Sequence, residues 1–234
     1  HEQALAMMVD TYSRLRGFGV GMVTSGPGAV NLATGIACSY YDSIPCLYIS
    51  GQVGNFHVKN DRNVRQRGFQ ETDVVALLKP ITKYSVLLDD SNDARYIFEK
   101  AIYMAKSGRP GPVLIDLPYD VQRAFVDPNS LNHFNPPKND DNAEVISSVE
   151  NIIDKLINAE RPLLLVGGGV RLSQMDKEMI SFIEATKIPV VTTWGAADIF
   201  PHGFSLHMGN IGKSGNQSAV DLVQECDLLL CLGT

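Results

Sequence analysis

Short runs that read as strands, most of them apolar, recur along the chain at residues 21–24, 45–50, 82–88, 112–117, 162–166, 189–193 and 227–232, and most alternate with stretches of helical spacing. A run of four to seven apolar residues is too short for a buried helix and fits a strand covered on both faces. Strands alternating with helices specify parallel sheets layered between helices. The expected fold class is therefore α/β, as two flavodoxin/Rossmann-like parallel-sheet domains covered by helices on both faces.

The helical stretches can be placed by their apolar positions. Leu5, Met8, Val9, Tyr12 and Leu15 define a leading helix that Arg16-Gly17 stops. Residues 29–41 read as a helix after the turn Ser25-Gly26-Pro27-Gly28, and 51–68 as a long loop of the functional kind. Ser91 is expected to cap a helix buried through Ala94, Ile97, Phe98, Ala101 and Ala105. Residues 127–142 carry three prolines among many asparagines and almost no aliphatics, which is linker chemistry. They separate a first domain, 1–126, from a second, 143–234. The second opens on a helix with Val145, Val149, Ile152, Ile153 and Leu156 as its buried stripe. After Gly167-Gly168-Gly169, Ser173 with Asp176 predicts a capping box, and Met175, Met179, Phe182 and Ile183 should point inward.

Composition removes several functions. Of the 234 residues, 44% are hydrophobic and 20% charged, an ordinary globular mix. No apolar run approaches the roughly 18 residues of a membrane span, so no membrane is expected. A net charge of −6 without a basic run argues against nucleic acid. Cys38, Cys46, Cys226 and Cys231 lie in apolar stretches without C-x-x-C spacing and read as buried reduced thiols of a cytoplasmic protein. The five histidines are scattered, so no metal site is expected within these residues. The chain opens at His1 and stops after Gly233-Thr234, and reads as a piece of a longer protein.

Two glycine turns stand where a parallel sheet offers ligand sites. Gly167 to Gly169 could present amides and a helix N-terminus to a phosphate, or could simply serve a tight turn. The spacing is not G-x-G-x-x-G and no acidic residue follows about 20 positions on, which disfavours an ordinary NAD site. In Gly26-Pro27-Gly28 the proline removes an amide donor, so that turn reads as a rigid wall for a flat ligand. Glu2 by itself is an acidic residue well placed in a helix's first turn.

The order of short motifs adds a further reading. His1-Glu2-Gln3, Thr24 to Asn31 (TSGPGAVN), Asp42-Ser43-Ile44-Pro45, Ser50-Gly51-Gln52-Val53, Phe69-Gln70-Glu71-Thr72-Asp73 and Ser107 to Pro118 (SGRPGPVLIDLP) follow one another. Together they resemble the thiamine-diphosphate enzymes, most closely the acetolactate synthase large-subunit group. The resemblance extends over the whole chain, strongest in the first 125 residues. It implies a pyrimidine-binding domain followed by a central domain. A third domain, holding the diphosphate through Mg2+, is implied by the family, but its Gly-Asp-Gly signature is not in these residues.

The resemblance assigns Glu2 the task of sharing a proton with the pyrimidine N1', which demands a raised pKa in a dry setting. It places Pro27 and Asn31 along the pyrimidine pocket. Phe69 and Gln70 would reach the reacting end of the cofactor in a partner subunit, Gln70 as a catalytic amide. Arg109, Gly168, Gly169, Thr193 and Met208 match positions touching a flavin dinucleotide (FAD). The implied reaction joins two 2-keto acids such as pyruvate, with loss of carbon dioxide, as in branched-chain amino acid biosynthesis. The implied assembly is a homodimer or tetramer. Arg67-Gly68 stands where the group has Asp-Ala, and the loop at 51–69 looks longer by about six residues. A keto-sugar or aldehyde acceptor is therefore the rival reading. Trp194-Gly195-Ala196 replaces the usual Leu-Met-Gly, leaving FAD, an ADP-like ligand or an empty site as alternatives, and a non-catalytic nucleotide-binding module is the rival of another class.

Overall fold

In a computed structural model, which describes residues 1–59, 63–137 and 142–234, the chain forms two compact units, His1–Lys138 and Asn139–Thr234. Of the stretch 127–142 expected to be a linker, residues 138–141 lie outside the described residues, as do 60–62 of the loop expected at 51–68.

The first unit runs α1 (Glu2–Arg16), β1 (Gly19–Val23), α2 (Pro27–Val30), α3 (Ala33–Tyr41), β2 (Cys46–Gln52), α4 (Val74–Leu78), β3 (Tyr84–Leu87), α5 (Ala94–Lys106), β4 (Val113–Pro118) and α6 (Tyr119–Arg123). Its four strands are parallel in the order β1-β2-β4-β3, with Gly19 opposite Cys46 and Leu47 opposite Val113. Alternate residues of β2 feed opposite faces. Leu47 and Ile49 join Ile97, Ala101 and Ala105 of α5 in one core, while the Tyr48 hydroxyl reaches through the other layer to donate to the Ala6 carbonyl of α1.

The helix expected from Leu5 to Leu15 is α1, and of its apolar residues only some are buried. Ala6, Val9, Asp10 and Ser13 are buried, whereas Met8, Tyr12 and Leu15 are exposed. Small residues permit this: a Cβ on Gly35 would lie 2.3 Å from the Ala6 Cβ, and one on Gly19 2.4 Å from the Val9 carbonyl oxygen. The backbones approach so closely that the narrow face of α1 is the one that fits. Polar groups in that interface are paired, with Ser39 donating to Asp10 at 2.8 Å and Ser13 to the Pro45 carbonyl.

Other local expectations are corrected in the same way. The helix expected over 29–41 is divided, since Leu32 N–H donates to Ala29 in a tightened turn between α2 and α3. Asp90, not Ser91, caps the turn leading into α5, by accepting from the Asn92 N–H.

The second unit runs α7 (Asn142–Asn158), β5 (Pro162–Val166), α8 (Gly169–Leu172), α9 (Asp176–Thr186), β6 (Val190–Thr192), β7 (His207–Asn210), α10 (Gln217–Glu225) and β8 (Leu228–Leu232). Its sheet is also parallel, in the order β7-β6-β5-β8. Leu164, Val166 and Val190 pack with Val170 and Ile183 on one face, and Leu163, Leu165 and Val191 with Ala219 on the other. The stripe of α7 is not buried: Val145, Val149, Ile152 and Ile153 are exposed and only Leu156 packs against the core. Ser173 makes no capping box; its hydroxyl donates to the Val170 carbonyl and ends α8, and α9 starts after Met175. Met175 is exposed and Phe182 is 37% exposed, while Ile183 is buried and Met179 packs against the same core as expected. Among the cysteines Cys46 is buried, but Cys38 and Cys231 are exposed, and all four are free. No helix among the described residues is long and apolar enough to cross a membrane.

Candidate functional site

Glu2 enters the site because α1 starts there and the β1–α2 turn runs beside it. The Asn31 amide donates to Glu2 Oε2 at 3.0 Å. A Cβ on Gly28 would stand 3.5 Å from Glu2 Oε1 and 2.7 Å from Thr24 Cγ2, so the missing side chain keeps the carboxylate accessible. Pro27 is the first residue of α2, where a helix needs no N–H and the fixed φ suits the turn. Gly26 has φ of 57°, and a Cβ there would lie 2.2 Å from the Gln70 carbonyl oxygen. Only glycine satisfies both demands. The start of α1, the glycine turn and the loop before α4 thus meet.

Gln70 itself holds a left-handed φ of 60°, at the second tip position of a turn closed by the Glu71 N–H on the Gly68 carbonyl. Phe69, the other tip residue, is 83% exposed. An aromatic ring this open is not core packing.

The electrostatics of Glu2 correct one expectation. Its pKa is lowered rather than raised, by its own backbone N–H first and by the Asn31 amide second, with burial opposing weakly. The physical cause is that the Glu2 backbone N–H and the Asn31 amide favour the ionised carboxylate, while among the described residues little covers it.

Beneath the loop lies a cavity of about 340 Å³ bordered by Gln52, Lys59, Glu71, Asp73, Leu87 and Asp116. Asp116 is 1% exposed and accepts from Ser50 at 2.6 Å and Gln52 at 2.8 Å. Burial pushes its carboxyl up to about 6 despite those two donors. These residues carried no role in the sequence reading. Asp116 had a signal, as the single charge within an apolar strand, whereas the meeting of Gln52, Glu71 and Asp116 at one cavity is purely tertiary.

In the second unit the glycine turn is already occupied by its own fold. The Gly167 N–H donates to Leu232 and the Gly169 N–H to Gly233, at 2.9 and 2.8 Å. Cβ atoms on Gly167 and Gly169 would lie 2.3 Å from Gly233 O and 2.8 Å from Gly233 Cα, and one on Gly168 3.2 Å from Gly195 O. The helix behind the turn, α8, has only four residues. Close backbone approach therefore accounts for the three glycines, and the amides of Gly167 and Gly169 are not free for a phosphate. The Thr193 N–H is likewise engaged, with the Val166 carbonyl. Met208 packs against the core formed with Ala219. Trp194, expected to crowd a ligand, is 68% exposed. Arg109 belongs to the first unit, where its Nε donates to Ser43 Oγ at 2.7 Å. Among the described residues no group of three His, Cys, Asp or Glu side chains is arranged to hold a metal.

Comparison with known proteins bears on the whole chain. Residues 1–77 match the family model described as thiamine pyrophosphate enzyme, N-terminal TPP binding domain, and 149–234 that described as thiamine pyrophosphate enzyme, central domain. The acetolactate synthase large subunit of Corynebacterium glutamicum is 39% identical over 241 residues, covering all of this chain and 37% of that protein. The acetolactate synthase large subunit of Pyropia yezoensis is 40% identical over 245 residues, and a probable acetolactate synthase large subunit of Methanocaldococcus jannaschii 37% over 242; each alignment covers all of this chain and 39% of the relative. The chain thus spans less than half the length of the curated relatives it matches. The matched stretches hold β1 and β2 of the first sheet and β5 to β8 of the second, and the chain belongs to the thiamine pyrophosphate enzyme family.

Proposed function

We propose that this chain supplies the pyrimidine-binding and central parts of a thiamine-diphosphate-dependent acetolactate synthase, which condenses two pyruvate molecules to 2-acetolactate and carbon dioxide. The observation that carries the reading is the Glu2 carboxylate, held by Asn31 across a side-chain-free Gly28 next to the rigid Pro27 turn. The donor set fits an aminopyrimidine: one carboxyl oxygen for a ring nitrogen, one face without side chains, and one amide to fix the carboxyl's orientation. When bound, thiamine diphosphate supplies the nucleophilic carbon and the electron sink for decarboxylation. Glu2 holds or releases a proton at its carboxyl oxygen, Asn31 orients it, and Gly28 admits the ring. Phe69 and Gln70 would border the reacting end, an apolar wall beside an amide.

Glu2 can keep a proton near neutral pH only where water is excluded. The outward apolar residues Met8, Tyr12 and Leu15 of α1 and Val20 and Met22 of the edge strand β1 support burial against a second copy. The proposed assembly is therefore a homodimer or larger. Mg2+ and the diphosphate are assigned to a further domain of the same protein. FAD is proposed for Gly168, Gly169, Thr193 and Met208 of the second unit, and for Arg109 by the resemblance alone; because the Gly169 amide is engaged and Gly233 fills the space beside it, this assignment rests on the motif match and not on a free N–H. The free cysteines fit a cytoplasmic setting. The exposed Phe69, on a loop with Arg67-Gly68 before it, favours a second reading in which the acceptor is another carbonyl compound.

The test is pyruvate turnover by the full-length protein with thiamine diphosphate and Mg2+, with product identified and bound flavin measured by absorbance. Formation of 2-acetolactate supports the first reading. Decarboxylation of pyruvate with transfer only to an aldehyde or keto-sugar supports the second, and no decarboxylation overturns both.

A further inference from the structure

Glu71 follows Phe69 and Gln70 in sequence but turns its side chain back into the protein. It is 9% exposed, and its carboxylate accepts three backbone N–H groups: Lys59 on Oε1, and Arg67 and Gly68 on Oε2. The donors come from both described flanks of the loop that follows β2. Burial disfavours charge on this carboxyl, but the N–H groups of Arg67, Lys59 and Gly68 outweigh it and hold its pKa below the ordinary value. Hydrogen bonds to an ionised acceptor are roughly twice as strong as neutral ones.

The chain on the C-terminal side of Glu71 is anchored separately. The Gln52 amide donates to both the Thr72 carbonyl and Asp116, each at 2.8 Å, and the Asp73 carboxylate caps α4 through the Ala76 N–H. On the N-terminal side the turn closes through Gly68 and Glu71, and the Gln70 backbone lies against Gly26. Phe69 and Gln70 form the tip of that turn, and the Glu71 side chain grips the turn's base.

We propose that Glu71 is a positioning residue for this site: its carboxylate fixes the turn from Gly68 to Glu71, so that Phe69 and Gln70 face the reacting groups in one arrangement, and it thereby governs which acceptor carbonyl compound is used. The proposal rests on the reading of Phe69 and Gln70 as bordering the reacting end. Glu71 touches no reacting atom. Activation through Glu2 is independent of it.

The experiment uses the full-length protein with thiamine diphosphate and Mg2+, comparing wild type, E71Q, R67P and the control F69A. E71Q keeps the shape but replaces one acceptor oxygen by a donor group, and R67P removes one of the three N–H donors without touching Glu71. Three quantities are read: hydrogen exchange of the peptide spanning 63–70, deuterium exchange at the cofactor's C2, and the product ratio with pyruvate and a longer 2-keto acid in competition. Expected for E71Q and R67P are faster amide exchange, unchanged C2 exchange, and a product ratio moved about 3- to 10-fold, the scale of one lost polar contact. Unchanged amide exchange overturns the clasp itself. Faster amide exchange with a wild-type product ratio, while F69A moves that ratio, overturns the positioning role and leaves Phe69 at the site. A ratio unmoved in F69A as well overturns the reading of Phe69, and the proposal with it. A uniform fall in all activities, C2 exchange included, shows a merely structural residue and overturns the proposal. If E71Q does not fold, R67P carries the same outcomes.

Discussion

The two glycine turns of this protein follow the first strand of their respective sheets, yet one is open and the other closed. The difference is where that strand lies in its sheet. β1 is an edge strand with β2 on one side only, so the turn at Gly26 to Gly28 meets Gln70 on one flank and leaves the Glu2 carboxylate and Asn31 on the other. β5 lies between β6 and β8, so the turn at Gly167 to Gly169 is pressed against Gly195 and Gly233 and gives its amides to its neighbours. The Gly28 N–H is itself engaged, with the Ser25 carbonyl, so the two turns differ in the space left beside them rather than in free amides.

The interiors repeat the contrast. Buried polar residues of the first unit include Asp10, Ser39, Ser50, Gln52, Glu71 and Asp116, whereas among the described residues of the second only Thr192 is buried and polar. Thr192 is paired, with His207 Nε2 at 3.0 Å. Buried carboxylates carry a desolvation cost, and two of them, Glu71 and Asp116, border the cavity beneath the candidate site. The second unit is built as a scaffold.

The largest effect that can break this comparison is at Glu2. In the full-length protein, Glu2→Gln should lower carboligation about 100-fold, the lower end of acid–base contributions, and should lower C2 deuterium exchange in parallel. Wild-type exchange in that variant would mean the open turn is no more functional than the closed one.

Next in size is the pH dependence of the two interiors. Asp116 is raised from 3.8 to about 6, so the protonated form is favoured in the folded state. Its contribution to stability is full below about pH 4 and is lost as pH rises through about 6, by up to about 3 kcal/mol, since each tenfold change in proton affinity is worth about 1.4 kcal/mol. Glu71 has the opposite sign: its contribution holds above the ordinary carboxylate value and is lost as pH falls below it. The eight tyrosines all lie in the first unit and the single tryptophan in the second, so one urea titration reads both. Asp116→Asn should flatten the tyrosine-detected loss between pH 4 and 6 and leave the Trp194-detected transition unchanged. A tyrosine-detected loss that persists in Asp116→Asn would assign it to another group.

Gly167→Ala should destabilise the second unit by about 1–3 kcal/mol, the usual cost of forcing extra volume into a packed site. Its Cβ would meet the Gly233 carbonyl at 2.3 Å. Gly28→Ala meets the flexible Thr24 side chain instead, and should leave urea stability within about 1 kcal/mol while weakening thiamine diphosphate binding. Equal stability losses would erase the distinction between the turns. The smallest effect is expected at Asn31→Ala, a change of about 3- to 10-fold in C2 exchange from loss of the hydrogen bond that orients Glu2; no change would leave Asn31 only a residue of the turn.

Much of the site was legible because its residues lie in short contiguous motifs. Pro27, Gly28 and Asn31 share one turn, and Phe69 and Gln70 another. Properties set by surroundings were less legible. Apolar spacing identified α1 and α7 as helices but not which residues they bury: the α7 stripe is exposed apart from Leu156, and small residues at Ala6, Gly19 and Gly35 decide which side of α1 can approach. Ser91 and Ser173 looked like caps, but Asp90 has the better geometry and Ser173 sits at a helix end rather than a start.

By itself the sequence determined the alternation of strands and helices, the two parallel sheets and the identity of the residues at the first turn, because period, turn chemistry and motif order are local. Tertiary structure alone decided strand order, and with it which glycine turn is open. It also decided the link from Asp116 through Gln52 to the loop held by Glu71. Those depend on water access and on donors brought from residues 20 to 66 positions away, and neither is encoded in any contiguous stretch.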